Sequence, residues 1–345
     1  MEYINDVNIN EAVVQVLDSN VNEPVLNEYS LELNEDIYRF LYKHIEKCLK
    51  DDELKYAKFN PERNIVKEVV QDYLNGIESD LIELSKELAR QLFIIIQTNE
   101  NIPSADLIVA SITTDQGPMI AILKMDYVNN FTHEIQFIDK KIGVSLVKQN
   151  AGLPGSGQKV QKAAFIKLAR DNDMYNIMVL DKQKVSSKDE YIANYFVKTF
   201  LGASIVTNER DMTKTFVKAT ENWTRKNVTD NAEKAEEIRT AIKNKLDQND
   251  SINIEDFANE ILKENPQVRE DYMNYMKSQG LKDEVAVDKT WIDKKLKRLR
   301  LSIDKEIDIY INRETYEDKN KFEIIRNGDG SINMILKDIV NYIEK

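Results

Sequence analysis

The sequence predicts an α+β protein, with N-terminal helices packed on a mainly antiparallel meandering sheet, a helical middle region and a small β-rich C-terminal module. Three observations carry this. Apolar residues recur at helical spacing between Asn34 and Asn99. Six β-rich runs follow between Ala105 and Leu180, and their connections are too short for parallel crossovers. Helical periodicity then returns from Asn208 to Ser278, and Asn327-Gly328-Asp329-Gly330 between two apolar runs marks a hairpin.

Taken in chain order, residues 12–17 and 29–33 are short β-prone runs broken by Asn-rich turns. Asn34 ahead of Glu35-Asp36 supplies a cap and first-turn acids for a helix carrying Ile37, Phe40, Leu41, Ile45 and Leu49. Asn60-Pro61 opens a second helix that runs to Gly76. A third starts near Glu78, carries Leu81, Leu84, Leu88, Leu92 and Ile95, and ends near Asn99. Strands are expected at 105–113, 119–127, 134–138, 144–148, 162–168 and 175–180. Turns are expected at Asp115-Gln116-Gly117, Asn129-Asn130, Lys140-Lys141, residues 152–157 and Asp171-Asn172-Asp173. An amphipathic helix over 188–201, capped by Ser186 or Ser187, closes the sheet. Helices follow at 209–225, 232–246, 254–263 and 266–277, then alternating runs at 299–303, 307–311, 322–325 and 332–336. The expected pieces are an α+β domain over 1–205, a helical region over 206–280 and a β-rich module over 281–345.

A chain of 345 residues with 42% hydrophobic content can bury more than one core. Its longest strongly apolar run, residues 92–96, falls far short of the ~20 residues that span a bilayer. Met1-Glu2-Tyr3-Ile4-Asn5-Asp6 carries acid where a leader needs bases, which predicts a cytoplasmic protein. One cysteine, Cys48, cannot make an internal disulfide, and with only His44 and His133 beside it no usual zinc site can be assembled.

The net charge of −12 argues at first against nucleic acid, but the acid is unevenly placed. Residues 1–100 hold 21 acids and 10 bases. Residues 140–170 hold seven bases and no acid, where the chain's own frequency would give about five. Among them Lys140, Lys141, Lys148, Lys159 and Lys162 are candidate phosphate contacts. Residues 289–300 carry six bases against Asp293, and Lys294, Lys295, Lys297, Arg298 and Arg300 form the second candidate set. As a strand, 298–303 would put Arg298, Arg300 and Ser302 on one face, whereas Ile292, Leu296, Leu299 and Ile303 also fit a helix.

Catalytic patterns are weak. Gly152-Leu153-Pro154-Gly155-Ser156-Gly157-Gln158-Lys159 resembles a phosphate loop, but Gln158 separates the lysine from the glycine and Val160 stands where a hydroxyl is needed. A basic loop lying along a phosphate backbone and a solvated loop with no ligand are both consistent with it. Asp256 with Glu260, and Glu233 with Glu237, share helix faces without histidines nearby and read as solvated acids. His44 lies beside the apolar stripe of its helix and His133 at a strand edge, neither with a nucleophile. The helix pair over 253–278 has helix-turn-helix spacing, but Glu270-Asp271 would meet phosphates. Trp291 is either a stacking platform amid the bases or a core anchor beside Ile292 and Leu296.

Tyr195-Phe196-Val197-Lys198-Thr199-Phe200-Leu201-Gly202-Ala203-Ser204 resembles the Y-F-x-x-F-L-G-A-S stretch of the bacterial 37-kDa nucleoid-associated protein family (NdpA/YejK-like). The order of elements is similar over most of the chain, including the helical stretch that ends Met276-Lys277-Ser278-Gln279-Gly280-Leu281. The resemblance implies a cytoplasmic, nucleoid-associated, DNA-linked protein with no assigned chemistry. Its motif residues read as a helix that ends on glycine and packs. The expected function is thus non-enzymatic, without cofactor or metal, and with little sequence preference for DNA. The alternative is an adaptor in a nucleoid or anti-phage complex, engaging a basic protein through its acidic N-terminal third; an oligomer is compatible with either.

Overall fold

Three side chains set where the N-terminal helices begin. Asn34 accepts the Ile37 N–H at 3.0 Å, Asn64 the Lys67 N–H at 3.0 Å, and Asp80 the Ile82 and Glu83 N–H groups at 2.8 and 3.3 Å. They start α1 (Glu35–Leu49), α2 (Ile65–Leu74) and α3 (Leu81–Gln97). The second helix begins later than Asn60-Pro61 promises. The Asn60 N–H is held by the Gly202 carbonyl at 2.9 Å, so the chain turns there first.

A computed structural model describes residues 2–138, 141–155, 158–182, 194–263, 265–304 and 306–341. The chain divides into two compact units, Glu2–Val206 and Thr207–Lys345. The first is built on an antiparallel seven-stranded sheet. Its strands are β1 (Val7–Leu17), β2 (Lys55–Phe59), β3 (Ala105–Thr114) and β4 (Gly117–Asp126), then β7 (Lys162–Lys167), β8 (Ile177–Asp181) and β9 (Ala203–Val206), in the order β1-β3-β4-β7-β8-β2-β9. β3–β4 and β7–β8 are the expected hairpins, whereas β2 inserts between β8 and β9. Between β4 and β7 the chain leaves the sheet as a separate hairpin, β5 (Val128–Ile138) with β6 (Lys141–Gly152). Asn129-Asn130 is a bulge in that hairpin rather than a turn, because the register shifts between Val128 and Asn130. Residues 29–33 form no strand; the Leu31 N–H instead meets the Ala12 carbonyl at 2.8 Å.

α2 and α3 pack on the sheet through Val66, Val70, Leu84, Leu88, Leu92 and Ile96, against Val13, Leu107, Ile120 and Ile122. Of the helix expected over 188–201, residues 188–193 and both proposed caps lie outside the described residues. The rest is a π-helical turn, Tyr195–Phe200. A Leu201 N–H to Phe196 carbonyl bond of 3.0 Å closes it, and this wider turn brings Tyr195, Phe196, Phe200 and Leu201 all into the core. Gly202 ends it at φ +59°, and a Cβ there would lie 2.7 Å from the Asn64 side chain that caps α2.

The second unit contains α4 (Glu209–Asn227), α5 (Ala232–Gln248), α6 (Ile254–Ile261) and α7 (Pro266–Ser278), each capped by the asparagine before it. Phe216, Trp223, Ile238, Phe257, Tyr272 and Met276 fill its core. Beyond the polar connector expected after Gly280, the structure adds two elements. Val285 in β11 (Glu284–Ala286) pairs with Ile252 in β10 (Ser251–Asn253), and Asp288 caps α8 (Lys289–Leu296). Two hairpins complete the unit: β12 (Arg298–Ile303) with β13 (Ile307–Asn312), and β14 (Phe322–Arg326) with β15 (Ile332–Leu336). A short helix α9 (Arg313–Glu317) lies between them in sequence. Among the described residues, no helix is long and apolar enough to cross a membrane.

Candidate nucleic-acid interface

The two basic segments fare differently. In 140–170 the structure disperses the bases. Lys140 lies outside the described residues. Lys141 and Lys148 are exposed on the β5–β6 hairpin, but pairing with Ile138 and Phe131 respectively puts them on opposite faces. Lys159 is exposed on the lip of a cleft of about 550 Å³ that His44, Cys48, Asp51 and Lys182 also line.

Lys162, expected from the sequence to meet phosphate, is instead 1% exposed and cannot reach one. Register places it between Lys124 of β4 and Asp181 of β8. Its ammonium pairs with Asp181, while Lys124 pairs with Asp126 and donates to the Pro103 carbonyl at 3.0 Å. The rings of Tyr195 and Phe196 lie 4.6 and 5.8 Å from the Lys162 nitrogen. Burial pulls the Lys162 pKa below its ordinary value, opposed by Asp181; burial does the same at Lys124, opposed by Asp126. The motif around Tyr195 therefore closes over a buried charge pair in the sheet.

The cleft offers no nucleophile from Cys48, whose thiol is pushed up to about 12 by burial and so stays protonated at neutral pH. His44 is buried, its Nε2 lies 3.1 Å from the Pro154 carbonyl, and desolvation lowers its pKa. His133 is exposed on β5. Glu260 and Glu237 are ion-paired with Lys245 and Lys234, each at 2.8 Å. Among the described residues, no group of three His, Cys, Asp or Glu is placed to hold a metal ion. In the helix pair over 253–278, Asp271 accepts the Trp223 indole N–H at 3.0 Å, so this acid serves the core of the second unit.

The second segment concentrates its charge. Lys294 and Lys295 are exposed in the last turn of α8, and Lys297 is exposed at its end. From Arg298 the chain becomes a strand, and alternation turns Arg298, Arg300 and Ser302 outward and Leu299, Leu301 and Ile303 inward. The helix that also fits this spacing stops at Leu296. Trp291 is 6% exposed and belongs to the core, not to a platform. The aromatic residue on the basic face is Tyr310, which pairs with Arg300 across the hairpin and is exposed. The guanidinium carbons of Arg298 and Arg300 lie 5.4 and 5.6 Å from its ring centre. Asp308 holds Arg300 through two bonds of 2.8 and 3.2 Å, and this pairing keeps its carboxyl below its ordinary pKa. Lys289 is used otherwise, donating to the Leu246 and Asp247 carbonyls at the end of α5.

Neither Tyr310 nor Asp308 stands out in the sequence, although a signal for both was there. The antiparallel pairing of β12 with β13 fixes the register that sets residue 310 opposite Arg300. No curated protein matches the chain. The resemblance carried by residues 195–204 extends, however, over nearly the whole sequence. The sequence model of the family described as nucleoid-associated protein YejK matches residues 13–344, and the chain belongs to that family.

Proposed function

We propose that the protein binds DNA directly, without catalysis and with little sequence preference, through the exposed face made by the end of α8 and the β12–β13 hairpin. It would act in the cytoplasm, on the nucleoid. The observation that carries this reading is the placement of Arg298 and Arg300 on one strand face beside the exposed ring of Tyr310, directly after Lys294, Lys295 and Lys297. Guanidinium and ammonium groups gain affinity from phosphate by releasing counterions, whatever the base sequence. An aromatic ring among them adds a surface on which an unpaired base or a sugar can stack. Lys141, Lys148 and Lys159, all exposed, are auxiliary contacts in this proposal, and Lys140 keeps the role its sequence position suggests. The 21 acids of residues 1–100 favour facing away from DNA and meeting a protein partner. If that contact were the whole function, the protein would be an adaptor with indirect DNA association.

Asp308 offers the test. In Asp308→Asn the Arg300 guanidinium is released and one negative charge leaves the face. Binding to a duplex should tighten at low salt, and the dependence of log K on log salt should steepen by up to ~0.9. Fluorescence anisotropy on the full chain measures both quantities; an unchanged affinity and slope would take this face out of the interface.

A further inference from the structure

Among the described residues, the β5–β6 hairpin pairs with no other strand. Its register divides its side chains sharply. Phe131, Ile135, Phe137, Ile142, Val144 and Leu146 share one face, with His133 and Lys148; the opposite face holds Thr132, Glu134, Gln136, Ser145 and Lys141, together with Val147. All six apolar side chains are in water, Phe131 at 69%, Phe137 at 76% and Leu146 at 76% of full exposure. A two-stranded ribbon is marginally stable alone and normally has its apolar face covered.

We propose that a second copy of this chain covers it, so that the protein is a homodimer joined hairpin to hairpin. Three features of the face favour a copy over an unrelated partner. The first is area. Large apolar and aromatic side chains at these exposures offer roughly 700 Å² on one face, more than the largest patch of an ordinary monomer and close to the ~800 Å² per partner of a stable interface. The second is one-sidedness: an amphipathic ribbon needs one added layer, and an identical ribbon supplies a layer of the same length and width with its polar face outward. The third is charge. The face carries no acid, and Lys148 stands at one end of it, opposite Phe131, while Phe137 and Ile142 form the other end. A two-fold arrangement with the hairpins running oppositely lays the apolar end of each over the cationic end of the other, so the two Lys148 ammonium groups stay apart. The face holds one of the auxiliary phosphate contacts, Lys148 at its end, but none of the α8 and β12–β13 residues that carry the DNA-binding reading, so the inference does not rest on that reading.

Sedimentation of the full chain at micromolar concentration tests it, together with the double variant Ile135→Asp/Leu146→Asp and with vesicles of phosphatidylcholine and phosphatidylglycerol. The expected result is a wild-type dimer that the double variant halves to a monomer with an unchanged far-UV circular dichroism spectrum. A monomeric wild type, a dimer that survives the double variant, or a monomer that floats with the vesicles overturns the proposal. Should the double variant unfold, Ile135→Cys decides. Cys48 is buried, so a short bis-maleimide should join two copies only through residue 135, and the absence of a joined pair counts against the dimer.

Discussion

Asp181→Asn is expected to cost the first unit about 3–5 kcal/mol, the penalty of stranding one partner of a buried ion pair. Lys162 is 1% exposed, and its ammonium has Asp181 on one side and the rings of Tyr195 and Phe196 on the other. Removing the carboxylate leaves a cation in the sheet with two ring faces and the charge of Asp126, which Lys124 on the neighbouring strand already engages, for compensation. That loss is a large fraction of the ~5–15 kcal/mol that holds a domain folded. The pH dependence has a definite sign. Burial already lowers the Lys162 pKa in the folded state, so the unfolded chain binds more protons at pH values between the folded and ordinary lysine pKa, and stability rises with pH there. Without Asp181 the folded pKa falls further, the deficit is full below it, and it shrinks as the solution is made alkaline. Urea unfolding of the variant at neutral and at alkaline pH checks both points. A neutral-pH stability within ~0.5 kcal/mol of wild type would contradict the buried-pair description. Lys162→Met with Asp181→Leu, which removes both charges, should recover most of the loss.

Replacing Lys297, Arg298 and Arg300 together by Gln is expected to flatten the salt dependence of DNA binding while leaving the fold intact. All three side chains are exposed, and the apolar residues of β12 that hold the hairpin, Leu299, Leu301 and Ile303, are untouched. For every phosphate that the variant no longer neutralises, the slope of log K against log salt should shrink by ~0.9. Arg300 is already neutralised in part by Asp308, so the expected change corresponds to nearer two phosphates than three, and binding should weaken for all duplex sequences alike. A triple variant with the wild-type slope and affinity would assign the cluster to solubility or to a protein partner, and would favour the adaptor reading.

Local signals were readable in the chain, and non-local ones were not. Asn34 and the periodic apolar residues after it mark α1, and Asn327-Gly328-Asp329-Gly330 marks the β14–β15 hairpin, because a cap and a tight turn are decided within a few residues. β2 escaped notice because it is five residues long, with two lysines, and its neighbours β8 and β9 lie more than a hundred residues further on. Lys162 looked available for the same reason: its own segment holds no acid, and Asp181 arrives only when β7 pairs with β8. β5 and β6 alternate apolar and polar residues, whereas β4, β7 and β8 are near-continuous apolar runs buried along their length; that contrast marks a ribbon with one apolar face, but not that the ribbon leaves the sheet with this face open. At the basic face the alternation of 298–303 was legible, whereas Tyr310 and Asp308 required the cross-strand register.

Direct contact between this chain and phosphate is the central claim, and the salt dependence of binding by the purified wild-type protein tests it most directly. Affinity for a duplex of arbitrary sequence should be measurable at low salt and fall linearly on a log–log plot, with a slope that counts the cations engaged. Absence of binding at low salt, or an affinity that salt leaves unchanged, would contradict it.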